Sequence, residues 1–161
     1  MERLVYEYTE HPRNRMVKMS KSISEEIRLE RFFVDKILFE RDHAAEVIGE
    51  KIQIDPVFSR KIMRIEEDVY SIVISVCIDK NQSKNDLPFK VEATIGGVFR
   101  LSGISEEQRH AALGANASAI LFPYLRSTVS TAMSLAGLPP ILLPVMNVNK
   151  VFGEEPKDYD D

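Results

Sequence analysis

The sequence has little of what disulfide frameworks, metal centres and membrane spans are built from. Its 161 residues include one cysteine, Cys77, so no disulfide can form within the chain. The three histidines, His11, His43 and His110, lie far apart, and none has a His or Cys neighbour at ligand spacing. No segment has the apolar length of a signal peptide or of a membrane helix. We therefore expect a cytoplasmic protein without a metal site and without membrane insertion.

Catalytic and nucleotide-binding motifs are missing as well. There is no Gly-x-Ser-x-Gly elbow, and Cys77 lies within a predicted strand, where a buried thiol is the usual state. The glycines from Gly96 to Gly103 have neither the Walker spacing nor the dinucleotide-binding spacing. The net charge of −4 gives no electrostatic support to generic nucleic-acid binding. Nothing in the sequence indicates catalysis, so we expect no enzyme activity, no catalytic residues, no cofactor and no nucleic-acid partner; a small enzyme with an unrecognised site is the alternative.

The composition is ordinary for a globular protein, with 44% hydrophobic and 29% charged residues, and the length suits one domain. Residues 1–28 are polar and mixed in charge, and we interpret them as an N-terminal extension that is either partly ordered or frayed. The patterned part of the chain, residues 29–152, is the predicted domain. Residues 153–161 are acidic and are predicted to form a disordered tail.

Four segments have the pattern of β-strands. They are rich in β-branched and aromatic residues and span residues 29–40, 57–66, 69–78 and 89–101. In the third, large apolar residues alternate with smaller ones, which predicts a sheet covered on both faces, one of them more heavily. The pair Gly96-Gly97 is predicted to interrupt the fourth strand with a bulge or a bend.

Two helices are predicted after the strands. Ser105 and Gln108 form a capping box, which predicts a helix that begins at residue 106 and ends near Gly114. A short irregular stretch should lead to Pro123, at the first position of a second helix that ends at Gly137. Its predicted apolar stripe is Leu121, Leu125, Val129, Ala132, Leu135 and Ala136. Strands segregated from helices indicate an α+β fold, in which helices pack on one face of a four-stranded antiparallel sheet.

The second half of the chain resembles the bacterial export chaperone family SecB. The resemblance rests on a Gly-Gly-x-Phe strand at residues 96–99, a Leu-Gly pair at 113–114, the sequence Ile-Leu-Phe-Pro-Tyr at 120–124, and a link at 137–147 that reads Gly-Leu-Pro-Pro-Ile-Leu-Leu-Pro-Val-Met-Asn. In the first half, residues 32–40 and 68–70 match the family's first and third strands in shape. The resemblance covers about residues 29–150.

This resemblance implies a SecB-like fold and the function of an ATP-independent chaperone. Members of the family pair into dimers that pack as homotetramers, and they bind unfolded polypeptides in long apolar grooves without a nucleotide. Some members deliver their clients to the translocation motor in protein export, whereas others guard an antitoxin. We therefore expect unfolded polypeptides as clients, and the motor or an antitoxin as a further partner. An adaptor that binds one folded partner is the alternative.

Two sets of apolar residues are candidate binding surfaces by this resemblance. The family's dimers meet at positions that match one face of the fourth strand, Phe89, Val91, Ala93 and Ile95, for which ordinary core is the alternative. The proline-rich link is the candidate client-binding groove, and the alternative is a link packed against the protein's own sheet. The candidate groove residues are Leu138, Ile141, Leu142, Leu143, Val145, Met146 and Phe152.

In export members, acidic residues on the sheet receive the basic tail of the motor. Glu40 and Glu92 match such positions and are candidate motor-docking acids, but Lys36 occupies a third position where export members have an acid. The family's final helix is also expected to be short here, since it would end soon after Phe152, and the extension is longer than usual. These departures favour a dedicated SecB-like chaperone for one partner, such as an antitoxin, over service to the motor.

Overall fold

The described part of the chain forms one sheet of four antiparallel strands, in the order β1-β4-β3-β2. The computed structural model describes residues 26–43, 54–79, 87–143 and 147–152. The strands are β1 (Glu26–Arg41), β2 (Val57–Glu66), β3 (Val69–Ile78) and β4 (Phe89–Ser102). β4 and β3 form the centre of the sheet, and β1 and β2 are its edges. The predicted bounds of the second and third strands are confirmed.

The central strands have two different faces. Tyr70, Ile72 and Ile74 of β3 are fully buried, whereas Ser71 and Val73 between them are only half-buried. Because successive side chains of a strand point to opposite faces, one face of the sheet is largely apolar and the other is mixed. We call the face of Tyr70, Ile72 and Ile74 the helix side, and the face of Ser71 and Val73 the open side. The helix side contributes most of the core.

A nearly continuous helical segment packs on the helix side. It consists of α1 (Glu106–Ala111), a π-helical turn (Ala112–Ala117) and α2 (Ser118–Leu135), and a single turn, α3 (Val148–Phe152), follows the link. α1 begins at the predicted capping box of Ser105 and Gln108. α2 contacts β4, β3 and β1. The predicted α+β architecture is therefore confirmed.

β4 runs through Gly96 and Gly97 without interruption, so the predicted bend is wrong. The register shifts lie in β1 instead. The two glycines make room for neighbouring side chains: a Cβ on Gly97 would lie 2.6 Å from Leu29 and 3.2 Å from Leu121, and a Cβ on Gly96 would overlap the Phe33 ring. Glycine at these positions therefore serves the close packing of β1 and α2 on β4.

The first strand begins earlier than the sequence predicts. β1 begins at Glu26 rather than at Leu29, so residues 26–28 of the predicted extension belong to the sheet. The remainder of the extension, residues 1–25, and the predicted acidic tail, residues 153–161, lie outside the described residues.

The predicted break between the two helices is also wrong. The backbone of Gly114 is helical, so this residue does not end the helical segment. Among the described glycines, Gly103 and Gly137 have the positive φ that is typical of a helix end. Gly114 is buried in the π-helical turn, and its carbonyl accepts a 2.7 Å hydrogen bond from Arg60 of β2. Pro123 consequently lies inside α2 and not at its first position.

The end of α2 agrees with the prediction, but part of its apolar stripe does not. Gly137 has a φ of 72°, and the Leu138 N–H donates to the Met133 carbonyl, as in a Schellman motif. Leu135 is 85% exposed, because the buried arc of the helix is rotated towards Phe122 and Met133. The stripe residues that are buried as predicted are Leu121, Leu125, Val129 and Ala132.

Candidate functional site

The described part of the link between α2 and α3, residues 136–143 and residue 147, begins with a segment that lies against the protein's own fold. Leu143 is 1% exposed, and Leu138 and Ile141 are half-buried against the core. The Ser130 hydroxyl of α2 donates a 2.9 Å hydrogen bond to the Ile141 carbonyl, which fixes the path of the link. Leu142 differs from these residues, because its side chain is 77% exposed.

The described groove candidates therefore divide into two kinds. Leu138, Ile141 and Leu143 pack against the protein's own fold, which was the alternative expected for the link, whereas the Leu142 side chain faces solvent. Two further candidates, Val145 and Met146, lie outside the described residues. The link is thus partly core and partly exposed surface.

An aromatic cluster joins α3 to the sheet and to α2. The Phe152 ring lies 5.9 Å from the Phe58 ring of β2 and 6.5 Å from the Phe122 ring of α2, measured between centroids, and both pairs are edge-on. The Phe58 and Phe122 rings are themselves 5.8 Å apart. Edge-to-face pairs at such distances attract each other through their quadrupoles. We call Phe58, Phe122 and Phe152 the aromatic cluster; it places the predicted groove residue Phe152 in contact with two residues that the sequence analysis missed.

Arg60 is a further residue of this region that sequence reasoning missed. Its guanidinium carbon lies 5.4 Å from the centroid of the Phe152 ring, which is the distance of a cation–π contact. The same guanidinium donates to the Gly114 carbonyl at 2.7 Å. Arg60 is half-buried on the helix side of β2, between Phe58 and Ile62. The signal that could have identified Arg60 from the sequence is an arginine between two apolar residues on one face of a predicted strand.

A second apolar surface lies where α2 crosses the edge strand β1. Phe32, Val34 and Ile37 on the helix side of β1 are 39%, 46% and 55% exposed. The Tyr124 ring of α2 is also exposed and lies 5.0 Å from the Phe32 ring. Ile120, one turn earlier in α2, is exposed next to Tyr124. We call these five residues the β1–α2 strip, and it marks the part of β1 that α2 leaves uncovered.

The residues expected at an oligomer interface are enclosed within the chain. Phe89 is 7% exposed, and Val91, Ala93 and Ile95 are fully buried in the core. Their shared face was inferred correctly from alternation, but the chain itself covers this face. Within the single chain these residues are thus core, which was the stated alternative, and their contact with a second copy stays a prediction.

The candidate docking acids lie on the open side among basic residues. Glu92 of β4 forms salt bridges with Lys36 of β1 and, at 2.7 Å, with Lys90. The hydrogen bonds from Lys36 and Lys90 hold the pKa of the Glu92 carboxyl below its ordinary value. Lys90 also lies 3.6 Å from Asp79. Glu40 is exposed and opposite Lys90 in the register of β1 and β4. Lys36, which stands where export members have an acid, therefore compensates the negative charge of Glu92.

Cys77 lies on the open side near Glu92 and is half-buried. Burial, assisted by the negative charge of Glu92, raises the pKa of the Cys77 thiol, which disfavours the reactive thiolate. Among the residues that the structure describes, no group of three His, Cys, Asp or Glu side chains is arranged to hold a metal ion. Within the same part of the chain, no helix is long and apolar enough to cross a membrane.

Comparisons with known proteins bear on these observations. Residues 20–158 match the family described as "Preprotein translocase subunit SecB". The chain belongs to the SecB family. The protein-export protein SecB of Neisseria meningitidis serogroup A is 30% identical over 139 residues, which cover 85% of this chain and 95% of the relative. That of Thiobacillus denitrificans is 31% identical over 129 residues, which cover 79% of this chain and 84% of the relative.

A solved SecB-like structure has a similar fold. The SecB-like chaperone of Mycobacterium tuberculosis, in complex with a ChAD peptide from the HigA1 antitoxin, matches with a TM-score of 0.57 and 16% identity. The match covers 74% of this chain and 87% of that one. The similarity concerns the fold, and it agrees with a four-stranded antiparallel sheet that has its helices on one side.

The SecB motifs come together on the helix side. The Gly-Gly-x-Phe motif of β4 ends in Phe99, which is fully buried, and the Leu-Gly motif lies in the π-helical turn. The Ile-Leu-Phe-Pro-Tyr motif lies in α2 and supplies Phe122 to the aromatic cluster and Tyr124 to the β1–α2 strip. The proline-rich motif forms the link. Residues of the family motifs therefore belong to both the aromatic cluster and the β1–α2 strip.

Proposed function

We propose that this SecB protein is an ATP-independent molecular chaperone of the cytoplasm, which binds non-native polypeptides on its helix side and keeps them competent for export or assembly. Membership of the SecB family supports this class of function. The observation that carries the proposal is the apolar surface left exposed at both ends of α2. This surface comprises the β1–α2 strip near the beginning of α2, with Leu135 and Leu142 near its end.

Such a surface suits a client that has no defined sequence. Burial of apolar area is favourable in proportion to the area and has no preferred direction, so many side-chain patterns are accepted. One fully buried client side chain contributes about 1.5–3 kcal/mol. Several such contacts along an extended chain reach micromolar affinity, about −8 kcal/mol, after the costs of association have been met.

Within this proposal the link residues have different roles. Leu142 contacts the client directly, because among the described groove candidates of the link it is the one whose side chain extends into solvent. Leu138, Ile141 and Leu143 form the wall that holds the link in place. The prolines of the link keep its backbone extended, which leaves a long edge for the client. Val145 and Met146 remain predicted groove residues.

A dedicated chaperone for one partner, such as an antitoxin, is the second candidate function. The observation that favours it is the pairing of Glu92 with Lys36 and Lys90. A surface that receives the basic tail of the translocation motor needs negative charge that is not compensated, and Glu40 alone is a weak attractor. The SecB-like chaperone of Mycobacterium tuberculosis was solved with a peptide from an antitoxin, which is an example of such a partner.

We also propose that the protein assembles as a homotetramer, a dimer of dimers. Because the β4 residues expected at the interface are buried within the chain, we propose that a further part of the fold contributes to the contact. Among the described strands, β1 is an edge of the sheet, and an edge strand offers backbone groups with which another strand can pair. Pairing of two β1 strands would join two β1–α2 strips into one longer apolar surface, which suits an extended client.

Suppression of aggregation in the absence of ATP tests the proposed function. Light scattering would follow several unrelated unfolded proteins, and one antitoxin-type partner, as they aggregate with and without the chaperone. Suppression for the unrelated proteins supports the general chaperone, and suppression confined to the one partner supports the dedicated chaperone. If the aggregation of none of these proteins is suppressed, both chaperone functions are contradicted, and an adaptor for one folded partner is the remaining alternative.

A further inference from the structure

We propose that the N-terminal extension binds to the folded domain of its own chain, with residues 12–23 in a cleft between the beginning of β1 and α1. We call this cleft the α1 cleft and residues 12–23 the basic segment. The cleft shares no residue with the aromatic cluster or with the β1–α2 strip, so binding there is independent of the proposed chaperone function. The α1 cleft has a volume of about 280 Å³ and is lined by Ile27, Ile104, Gln108, Ala111, Ala112 and Asn116.

The floor of the α1 cleft is apolar and incompletely covered. Ile27 lies opposite Leu101, which is 2% exposed in the core. Ile27 and Ile104 pack against this core but are themselves only half-buried. The helical segment presents Ala111 and Ala112 here, and alanine side chains are too short to fill the space. A cavity of about 150 Å³ holds a benzene ring, so the cleft has room for one or two apolar side chains.

The position at which the chain enters the sheet brings the extension next to this cleft. Glu26 is the first residue of β1, and its neighbour Ile27 lines the cleft. Met19 precedes Glu26 by seven residues, so an extended chain lets it reach about 25 Å from that point. α1 has six residues and is therefore only about 9 Å long. Tethering so close to the cleft gives the segment an effective concentration on the order of millimolar, at which weak contacts suffice for binding.

The charges of the segment and of the cleft are complementary. Glu107 is exposed and lies four residues before Ala111, on the same face of α1, so its carboxylate stands at the rim of the cleft. The neighbouring Glu106 side chain is 83% exposed, although it pairs with Arg109. Residues 12–23 contain no acidic residue and have the basic residues Arg13, Arg15, Lys18 and Lys21. The first turn of α1 therefore attracts this segment.

The basic segment also carries apolar side chains that fit the cleft. These are Met16, Val17, Met19 and Ile23. Methionine is unbranched and adapts to irregular gaps, which suits an open cleft formed by two different elements. The other apolar patch of the extension, Leu4 and Val5, stands between Glu2 and Glu7, which the acidic rim would repel. The basic segment is therefore the favoured occupant, and it would hold α1 against the beginning of β1.

Photocross-linking of the full chain tests the position of the segment. The photoreactive amino acid p-benzoylphenylalanine in place of Met19 should form cross-links within the same chain to Ile27 or to residues 104–116. The same amino acid in place of Leu4 is the matched control and should not label these residues. Products of monomer size, mapped by mass spectrometry, support the proposal. Products of dimer size, which would put a second copy on the cleft, or labelling of the β1–α2 strip instead, or no cross-link, would overturn it.

Hydrogen exchange tests the same contact with natural side chains. A short helix such as α1 depends on tertiary contacts, so loss of the docked segment should expose its backbone to exchange. We expect Met19→Ser combined with Ile23→Ser to raise the exchange rates of residues 104–112 at least about fivefold. Leu4→Ser combined with Val5→Ser is the control and should leave these rates unchanged. Equal rates in the first variant and the unaltered protein, or an equal increase in both variants, would overturn the assignment of the segment.

The charge complementarity is tested by the yield of the Met19-position cross-link. Glu107→Gln keeps the size of the side chain and removes its charge, and it should lower the yield about twofold. An increase of the salt concentration from 50 mM to about 500 mM should lower the yield in the same direction, because exposed charges are screened. Circular dichroism would establish that the variant is folded. A yield that responds neither to the substitution nor to salt would overturn the choice of the basic segment as the occupant.

Discussion

The helix side and the open side of the sheet are made by the same four strands, yet they differ in what they offer to a partner. On the helix side, Ile72 and Ile95 are fully buried, and the surface that escapes burial is the apolar β1–α2 strip. On the open side, the half-buried residues include Ser75 and Thr94, and the charge of Glu92 is balanced by lysines. The strand period of two thus separates a largely apolar face from a mixed face on which the charge of Glu92 is balanced.

This difference teaches where stability and binding are located in the molecule. The helix side carries both the core and the proposed client surface, so its apolar residues serve one role or the other according to whether α2 covers them. The open side is mixed: half-buried Val73 and exposed Val57 and Met63 lie there beside the ion pairs of Glu92, so substitutions of its charged residues should act mainly through charge. The predictions below compare matched positions on the two sides.

The largest expected effect is that of a buried charge on the helix side. Val91→Glu would place a carboxylate in the core, and we expect a loss of more than about 4 kcal/mol, so that no folded protein is obtained. The matched change on the open side of the same strand, Thr94→Glu, should cost less than about 1 kcal/mol, because Thr94 is only half-buried. Urea unfolding followed by circular dichroism measures both. A folded Val91→Glu protein that only loses its oligomeric state would restore the interface first expected for this residue.

A smaller effect is expected for the two adjacent glycines of β4. Gly97→Ala should cost about 2 kcal/mol, because its Cβ would press on Leu29, Phe99 and Leu121 on the helix side. Gly96→Ala should cost about 1 kcal/mol, since its Cβ would displace the outer end of the half-buried Phe33 ring on the open side and would lie 3.0 Å from the Ile72 carbonyl oxygen. Thermal or urea unfolding of the two variants shows which substitution lowers the free energy of unfolding more. Equal costs would mean that the two sides are packed with the same rigidity.

The charge balance around Glu92 predicts a dependence on pH. Its pKa is lowered in the folded protein from the ordinary value of 4.5, first by the hydrogen bond from Lys36 and then by that from Lys90. The carboxylate therefore contributes stability above about pH 4.5, and the contribution is lost as the pH falls through the lowered pKa. Glu92→Gln should be less stable than the unaltered protein near pH 6, by up to about 1 kcal/mol, and the difference should shrink as the pH falls below about 4.5. A difference that does not change with pH would exclude the ion pairs as its cause.

The smallest effect on stability is expected for Leu142. Because its side chain is 77% exposed, Leu142→Ser should change the free energy of unfolding by less than about 0.5 kcal/mol. The same change should weaken binding of an unfolded client about threefold, as it removes one apolar contact. Leu143→Ser, at the buried neighbouring position, should lower stability by several times more. Leu142→Ser with unchanged client affinity would remove this residue from the groove.

Much of the fold was predictable because local signals agree with the tertiary structure. The alternation in β3 gave its bounds and its buried face, and the pair Ser105 and Gln108 marked the start of α1. Gly137 ends α2 with a positive φ, as its position after an apolar helix predicts. These features depend on residues that are close together in sequence.

The errors have tertiary causes. Gly114 was expected to end a helix, but the guanidinium of Arg60 binds its carbonyl from β2 and stabilises a buried π-helical turn. Gly96-Gly97 was expected to bend β4, but its neighbours across the sheet and in α2 require space there. The aromatic cluster brings Phe58 of β2 together with Phe122 and Phe152 of the second half, and no local pattern reports such a contact.

Titration calorimetry with a permanently unfolded protein and its native form tests the central claim most directly. We expect binding of the unfolded form without ATP, with a negative change in heat capacity, because apolar surface on the helix side is buried. The native form of the same protein should not bind. Equal binding of the two forms, or no binding of the unfolded form, would contradict the account of this SecB protein as a chaperone for non-native chains.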